Sequence, residues 1–127
     1  MYEIVIPGEL PDFNLIIEES KKGNRRYQPY NEIKQHHTER VAWIIKSKIK
    51  KPLPKVDVEI EWICKDKRKD KDNVSGGGIK FILDGLVMAG VIKNDGWKEI
   101  GNISHTFGVA KHNPRAIVKL IPTTRKI

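Results

Sequence analysis

Three aspartates stand close together in a strongly basic chain, and their spacing suits the binding of a cation. Asp70 and Asp72 are two residues apart, and Asp95 follows 23 residues after the second of them. In an extended segment, residues two apart point to the same side, so the first two carboxylates would face one ligand. Neighbouring carboxylates repel each other unless a divalent cation lies between them. The pattern predicts a site for a hard cation, with Mg²⁺ expected and Mn²⁺ as its substitute.

The residues between these aspartates predict a loop and then a helix. Asn73 is followed by the run Ser-Gly-Gly-Gly at 75–78, which reads as a loop. Residues 79–89 show an apolar stripe at helical spacing, and Asn73 or Ser75 is expected to cap the helix. Gly90 suits the left-handed position after the helix end. Lys80 and Asp84 are four residues apart, so they share a face of this helix and can pair.

The length, net charge and cysteine count of the chain limit the class of protein to which it can belong. The chain has 127 residues, which predicts a single domain over residues 1–127. Its formal net charge is +8, from 24 Lys and Arg against 16 Asp and Glu, and this excess favours nucleic acid over a membrane as partner. Cys64 is the only cysteine, which excludes an internal disulfide and fits a reducing, cytoplasmic setting. The N-terminal residues do not read as a signal peptide, and no stretch is apolar enough to span a membrane.

The remaining pattern predicts an α/β (α+β) fold, with a small mixed sheet of about four strands and two long helices in the order β-α-β-α-β-β. Strands are expected at 2–6, 56–64, 100–110 and 115–121, and helices at 31–49 and 79–89. Residues 10–17 are ambiguous. The strand at 56–64 alternates apolar with mostly acidic residues, so one of its faces is expected in the core.

Two groups of basic residues are candidates for contact with DNA phosphates. Arg25 and Arg26 lie in a basic and aromatic stretch, for which a solvated loop is an equal interpretation. The second group surrounds the first two aspartates and comprises Lys67, Arg68, Lys69 and Lys71. An isolated run of this kind is usually a solvated charge cluster, but this one leads from a strong strand directly to a helix.

Taken together, the motif from Asp70 to Asp95 resembles the signature of the RusA-type Holliday junction resolvases. The resemblance combines Asp70-x-Asp72-Asn73, Lys80-x-x-x-Asp84-x-Leu86, Gly90-Val91-Ile92 and Asp95, and the start Ile4-Val5-Ile6-Pro7-Gly8 agrees with it. It covers the whole chain in length and element order. It implies a homodimeric, Mg²⁺-dependent endonuclease, often of phage or prophage origin, that resolves four-way DNA junctions in recombination and repair.

The resemblance also implies roles for individual residues. Asp70, Asp72 and Asp95 match the essential acidic residues, Lys80 the family's lysine, and Asp84 the acid one turn further along the helix. Two features depart from the family. The lysine follows the second aspartate by eight residues rather than four, with residues 75–78 as the apparent insertion. Asn94 stands where a second aspartate is common, which suggests that Asn94 assists as a neutral ligand, beside Asn73 and Asp84 as further supporting residues.

Phosphodiester hydrolysis needs an activated water and relief of charge on phosphorus, which Mg²⁺ and a lysine can supply. One alternative is a metal-dependent nuclease for other branched or single-stranded DNA, and another is a non-catalytic nucleic-acid-binding module. A dimer would supply two sites for two matched incisions. Its interface is expected at a strand edge or at Trp62, Trp97 or Phe107.

Overall fold

The structure, a computed structural model, describes residues 1–23 and 29–123, without the side chains of residues 29 and 30. Its elements are β1 (Tyr2–Pro7), α1 (Phe13–Lys21), α2 (Pro29–Lys48), β2 (Val56–Cys64), α3 (Lys71–Met88), β3 (Ile100–Val109) and β4 (Arg115–Pro122). The mixed α+β class, the four strands and the two long helices are confirmed. The predicted order lacked one element, the short helix α1.

The four strands form one mixed sheet in the order β1-β4-β2-β3. Strand β4 is antiparallel to both β1 and β2, whereas β2 and β3 are parallel. Parallel neighbours need a long crossover connection, and α3 provides it. Strands β1 and β3 are therefore the two edges, and α3 runs between the end of β2 and the start of β3.

The helices cover one face of the sheet. Along β2, Val58, Ile60 and Trp62 are buried, while the alternating Glu59 and Glu61 are exposed. The alternation is the one predicted, and it follows from side chains pointing to opposite faces of a strand. The face of the sheet that the helices leave uncovered, here called the open face, carries other acidic side chains as well. The register places Lys119 between Glu3 and Glu59 across β1, β4 and β2.

The edge strand β3 extends beyond the helix layer. Ile103, His105 and Phe107 pair with Val58, Ile60 and Trp62, and therefore point to the helix side of the sheet. Even so, Ile103 is 41% exposed and Phe107 is only half-buried. The Trp62 indole donates a hydrogen bond to His105 Nδ1 at 2.9 Å, which ties the edge to the core. Trp62 is buried and is therefore unsuited to the interface expected for it.

Helix α2 covers nearly all of the helix predicted at 31–49. Val41, Ile45 and Ile49 are buried at the three-to-four spacing that places them on one side. Pro52 and Pro54 then prevent the helix from continuing. The exposed surface of α2 includes Trp43, whose side chain is 76% exposed.

Helix α1 resolves the ambiguous segment at residues 10–17. Its N-cap is Asp12, whose Oδ1 accepts a hydrogen bond from the Leu15 amide at 2.8 Å. An Asp before an apolar run is a common start of a helix. The ambiguity arose because Phe13, Leu15 and Ile17 are all partly exposed, so no clean apolar stripe marks the helix.

Helix α3 begins eight residues before the predicted start, so the expected loop at 75–78 is wrong. The glycines are helical because they allow close packing. A Cβ on Gly77 would lie 2.5 Å from the backbone carbon of Asp12, and a Cβ on Gly78 would overlap the Trp62 ring. Glycine costs about 1 kcal/mol in a helix, and these contacts outweigh it. Asp70 occupies the N-cap position, so the capping expected of Asn73 or Ser75 is also wrong.

The chain leaves α3 through the glycine that was predicted to follow the helix. Gly90 has a φ of 76°, the left-handed conformation expected after the helix. The linker that follows lies beside the one between α2 and β2, since the Leu53 amide donates to the Val91 carbonyl at 2.7 Å. In the described part of the chain, no helix is long and apolar enough to cross a membrane.

The helical turn of α3 that contains Gly76, Gly77 and Gly78, here called the glycine turn, allows a direct test of how α3 packs. Replacing Gly77 by Ala should lower the free energy of unfolding by about 1–3 kcal/mol, because the added methyl group meets rigid backbone. Gly76→Ala is the matched control. Its Cβ would have nothing within 4 Å, so it should raise the free energy of unfolding by about 0.5–1 kcal/mol. Urea unfolding followed by circular dichroism measures both, and equal stabilities would contradict a helix that starts at Lys71.

Candidate functional site

Asp70 and Asp72 lie where the chain passes from β2 into α3. Asp70 has extended backbone angles at the N-cap position, and its carboxylate makes no capping hydrogen bond. Asp72 is in the first turn of the helix, where the helix dipole favours a negative charge. Both residues are exposed. The prediction of one extended segment holds for Asp70 and is wrong for Asp72, because packing of the glycine turn starts the helix early.

A groove of about 560 Å³ runs along this junction. Its charged lining consists of Asp66, Lys67, Lys69, Asp70 and Lys71. The opposite wall is the end of β3, including Phe107, Gly108 and Val109. Three of the four basic residues predicted around the aspartates therefore line the same groove as Asp70. A mixture of lysines and carboxylates beside an apolar wall can receive a phosphate group together with a cation.

The basic side chains of the groove have different partners. Lys71 Nζ lies 5.6 Å from the centre of the Phe107 ring, a cation–π distance. Arg68 pairs with Asp66 at 3.7 Å, in an exposed position where an ion pair adds little stability. Lys67 is exposed, and no ion pair to it is formed by the described residues. Lys67 and Lys71 are thus the lysines most available to a phosphate.

Asp12 belongs to this region and was missed at the level of sequence. Its Oδ2 is 3.1 Å from Lys69 Nζ, and the residue is only 9% exposed. Burial by itself would raise the pKa of this carboxyl. The hydrogen bond from the Leu15 amide and the contact with Lys69 more than offset that effect, so the pKa is lowered from its usual value. The helix-start pattern at Asp12 was a usable signal, but its contact with Lys69 depends on the fold.

Asp95 lies at the other end of α3. It lines a second cleft, also of about 560 Å³, together with Asn94, Asp84 and Lys34. The Asn94 side chain accepts a hydrogen bond from the Asp95 amide at 2.9 Å. Asp84 pairs with Lys34 of α2 at 3.7 Å, and the pairing of Asp84 with Lys80 is not among the ion pairs of the described residues. Asn94 and Asp84 are therefore neighbours of Asp95, whereas Asn73 stays near Asp72.

The three aspartates do not come together within one chain. Asp95 shares its cleft with Asp84 and Met88, which follow Asp72 by 12 and 16 residues along α3, a rise of about 18 and 24 Å. Among residues 1–23 and 29–123, no group of three or more His, Cys, Asp or Glu side chains is close enough to hold a metal ion. Asp70 and Asp72 both lie at the start of α3, but of the two only Asp70 is among the residues that line the groove.

Lys80 lies on the exposed side of α3. It is eight residues beyond Asp72, a rise of about 12 Å along the helix axis. The four inserted residues at 75–78 add about one helical turn, which moves Lys80 away from Asp72 while preserving the side of the helix on which it lies. Gly76 occupies the position one turn after Asp72. Arg25 and Arg26, the other predicted DNA contacts, fall outside the described residues.

Comparison of the chain with models of known protein families and with curated proteins gives no match.

The contact between the nearly buried Asp12 and the exposed Lys69 predicts a dependence of stability on pH. A carboxyl whose folded pKa lies below its unfolded value of 3.8 stabilises the protein above that pH. This contribution is lost as the pH falls through the folded pKa. We expect Asp12→Asn to reduce the free energy of unfolding by about 1 kcal/mol at pH 6, and the difference from wild type to shrink below pH 4.

Thermal unfolding at several pH values measures this effect. Asp66→Asn is the matched control, because its partner Arg68 is exposed and its loss should leave stability nearly unchanged. A constant difference between wild type and Asp12→Asn down to pH 2 would show that the charge of Asp12 does not stabilise the fold.

Proposed function

We propose that this protein is a Mg²⁺-dependent endodeoxyribonuclease whose substrate is branched DNA, with four-way junctions as the main form. The observation that carries the proposal is the groove at the start of α3. It joins the exposed carboxylate of Asp70 to three lysines, Lys67, Lys69 and Lys71. Binding alone would be served by the lysines. A carboxylate in a surface that attracts phosphate opposes binding unless a cation neutralises it.

The charge distribution favours DNA on the helix side of the molecule. The open face of the sheet carries Glu3, Glu59 and Glu61, which repel phosphate. The lysines of the groove lie at the end of β2 and the start of α3 instead. Lys71 is held against Phe107, so one wall of the groove offers both a positive charge and an aromatic ring to a nucleotide.

The donor atoms near the groove suit magnesium. Asp70 and Asp72 offer exposed carboxylate oxygens, the ligands that a hard cation prefers. Magnesium bound there would supply the positive charge that activates water and offsets negative charge on the phosphate. The chain's own contribution is to place the phosphate through Lys67 and Lys71. Lys80, further along the exposed side of α3, is positioned to contact a phosphate farther along the strand.

A complete three-carboxylate site requires a second copy of the chain. Asp95 lies beside residues that are about 18 to 24 Å further along α3 than Asp72, a separation no single ion can bridge. In a two-fold dimer, if one patch of the first copy contacts a different patch of the second copy, the same two patches also meet with the copies exchanged. Asp95 of each copy can then complete the site of the other copy. Two such sites per dimer match the two incisions that resolve a junction.

The exposed edge of β3 is the surface that suits this dimer. Ile103 and Val109 are 41% and 51% exposed there. If two β3 edges pair in antiparallel fashion, the start of one strand lies beside the end of the other. The start of β3 follows Asp95 by five residues, and its end forms a wall of the groove at Asp70. One arrangement thus covers apolar surface and brings the two parts of the site together.

Asparagine substitutions test the catalytic proposal. Asp70→Asn and Asp72→Asn should each reduce cleavage of a labelled four-way junction in Mg²⁺ at least about 100-fold, since an acidic ligand is lost. Binding should be retained or become tighter, because less negative charge faces the phosphates. Asp66→Asn is the control. Asp66 lines the same groove but pairs with Arg68, so cleavage should persist.

A matched linear duplex and a reaction without Mg²⁺ complete this assay. Junction binding without cleavage under any metal condition would favour a non-catalytic binding module. Equal cleavage of junction, fork and single strand would favour a nuclease of broader specificity.

Mixing two inactive variants tests whether the site is shared. A dimer of one Asp72→Asn chain and one Asp95→Asn chain contains one site with both changes and one with neither, if each site uses Asp95 of the partner. Random mixing should therefore restore nicking to about a quarter of the wild-type number of sites. The Asp70→Asn and Asp72→Asn mixture is the control and should stay inactive, since every site keeps one change. No restored activity in the first mixture would assign all three residues to one chain's site.

A further inference from the structure

A second concentration of positive charge lies at the opposite end of the molecule from the groove. The segment 46–55, KSKIKKPLPK, contains five lysines and no acidic residue. It comprises the end of α2 and the linker to β2. We call Lys46, Lys48, Lys50, Lys51 and Lys55 the lysine cluster; the first four are exposed and the last is half-buried.

The charge of the lysine cluster is not neutralised by the fold. Within residues 1–23 and 29–123, the ion pairs involve Asp12, Glu18, Glu19, Asp66 and Asp84, and none of these acids pairs with a lysine of the cluster. Like charges held close together repel and destabilise the folded state. Solvation lessens this cost, but a bound polyanion would remove it and release counterions.

The lysine cluster borders a formed cleft. A space of about 320 Å³ lies between the end of α2 and the end of α3, with Lys46, Lys50 and Lys51 on one side and Gly90 on the other. The hydrogen bond from Leu53 to Val91 keeps the two linkers side by side. The backbone that carries the lysines is thus held in place, which lowers the entropy lost when a ligand binds.

An aromatic side chain adjoins the lysine cluster. Trp43 precedes Lys46 by three residues, so these two side chains lie on one side of α2, and Lys50 follows in the linker directly after the helix. Its ring is 76% exposed. A largely exposed tryptophan next to lysines has the composition of single-strand binding surfaces, where a base stacks on the ring and the cations contact the flanking phosphates.

The position of this surface separates it from the groove at Asp70. Strand β2 has nine residues and spans about 30 Å from the lysine cluster to the groove. The phosphates on one side of a B-form duplex recur at about 34 Å. One duplex arm can therefore reach both ends of the molecule along the helix side, away from the acidic face of the sheet.

We propose that the lysine cluster and Trp43 form a second DNA-binding surface, whose lysines hold the phosphate backbone and whose tryptophan stacks on a base of a single-stranded segment. The choice of DNA as ligand rests on the proposed function, but the surface does not require cleavage. An anionic membrane fits less well, because the neighbouring Ala42 and Ile45 are buried and leave Trp43 without an exposed apolar face to insert.

The test compares binding of full-length variants to a labelled junction and a labelled single strand without Mg²⁺, across a range of salt concentrations. The triple variant Lys46→Ala, Lys50→Ala, Lys51→Ala should reduce the slope of log affinity against log salt by about 2 to 3, and weaken binding at 50 mM salt at least about tenfold. Trp43→Ala should weaken binding to the single strand about tenfold and leave binding to a blunt duplex nearly unchanged.

Two controls separate position from charge. Lys→Arg at the same three positions keeps the charge and should retain the slope. Lys119→Ala removes a lysine that lies between two glutamates in the register of the open face, and it should leave the slope unchanged. An unchanged slope in the Lys→Ala triple variant, with wild-type circular dichroism, would overturn the proposal.

The remaining outcomes distinguish this proposal from the proposed function. A protein that never cleaves DNA, but whose binding depends on the lysine cluster, supports the second surface and contradicts the nuclease. A protein that cleaves junctions normally with the triple change, at an unchanged slope, supports the nuclease and contradicts the second surface. Loss of binding to vesicles of anionic phospholipid, with DNA binding intact, would assign the lysine cluster to a membrane and also overturn the proposal.

Discussion

The contact between the glycine turn of α3 and the Trp62 ring determines the arrangement of the rest of the molecule. Gly78 lets the helix approach until a methyl group would collide with the indole, and Gly77 does the same for the backbone at Asp12. Because α3 is the crossover from β2 to β3, this contact positions the helix over the sheet and places α1 against it. It also fixes the site of Asp70, which stands directly before the first turn. Close packing of this kind tolerates little change in volume, so the shape of the candidate groove depends on the core beneath it.

Charge is divided between the two sides of the fold. The sheet face without helices carries acidic side chains, while lysines concentrate at both ends of the helix layer. A protein of net charge +8 with an acidic face therefore orients a polyanion as well as attracting it. The open edge of β3 adds a third kind of surface, partly apolar and with unpaired backbone groups.

The elements were largely predictable because local pattern and final packing agree over most of the chain. β2 alternates as a half-buried strand must, and α2 carries its buried residues at Val41, Ile45 and Ile49. The exceptions have physical causes. Residues 75–78 look like a loop, since three glycines disfavour a helix locally, and only the Trp62 and Asp12 contacts reveal why they are helical. The apolar residues of α1 are partly exposed, so periodicity gave no clear answer there.

For the candidate site, the sequence alone indicated the fold class and the candidate residues, namely the carboxylates of Asp70 and Asp72 and the lysines beside them. These depend on residue type and near spacing, which a linear sequence contains. Only the tertiary structure decided which of them meet. It brought Asp12 to Lys69 across 57 positions and placed Asp95 at the far end of an 18-residue helix. Such distances depend on the length and direction of the connecting helix, and the direction was set by side-chain packing between elements that are far apart in the chain.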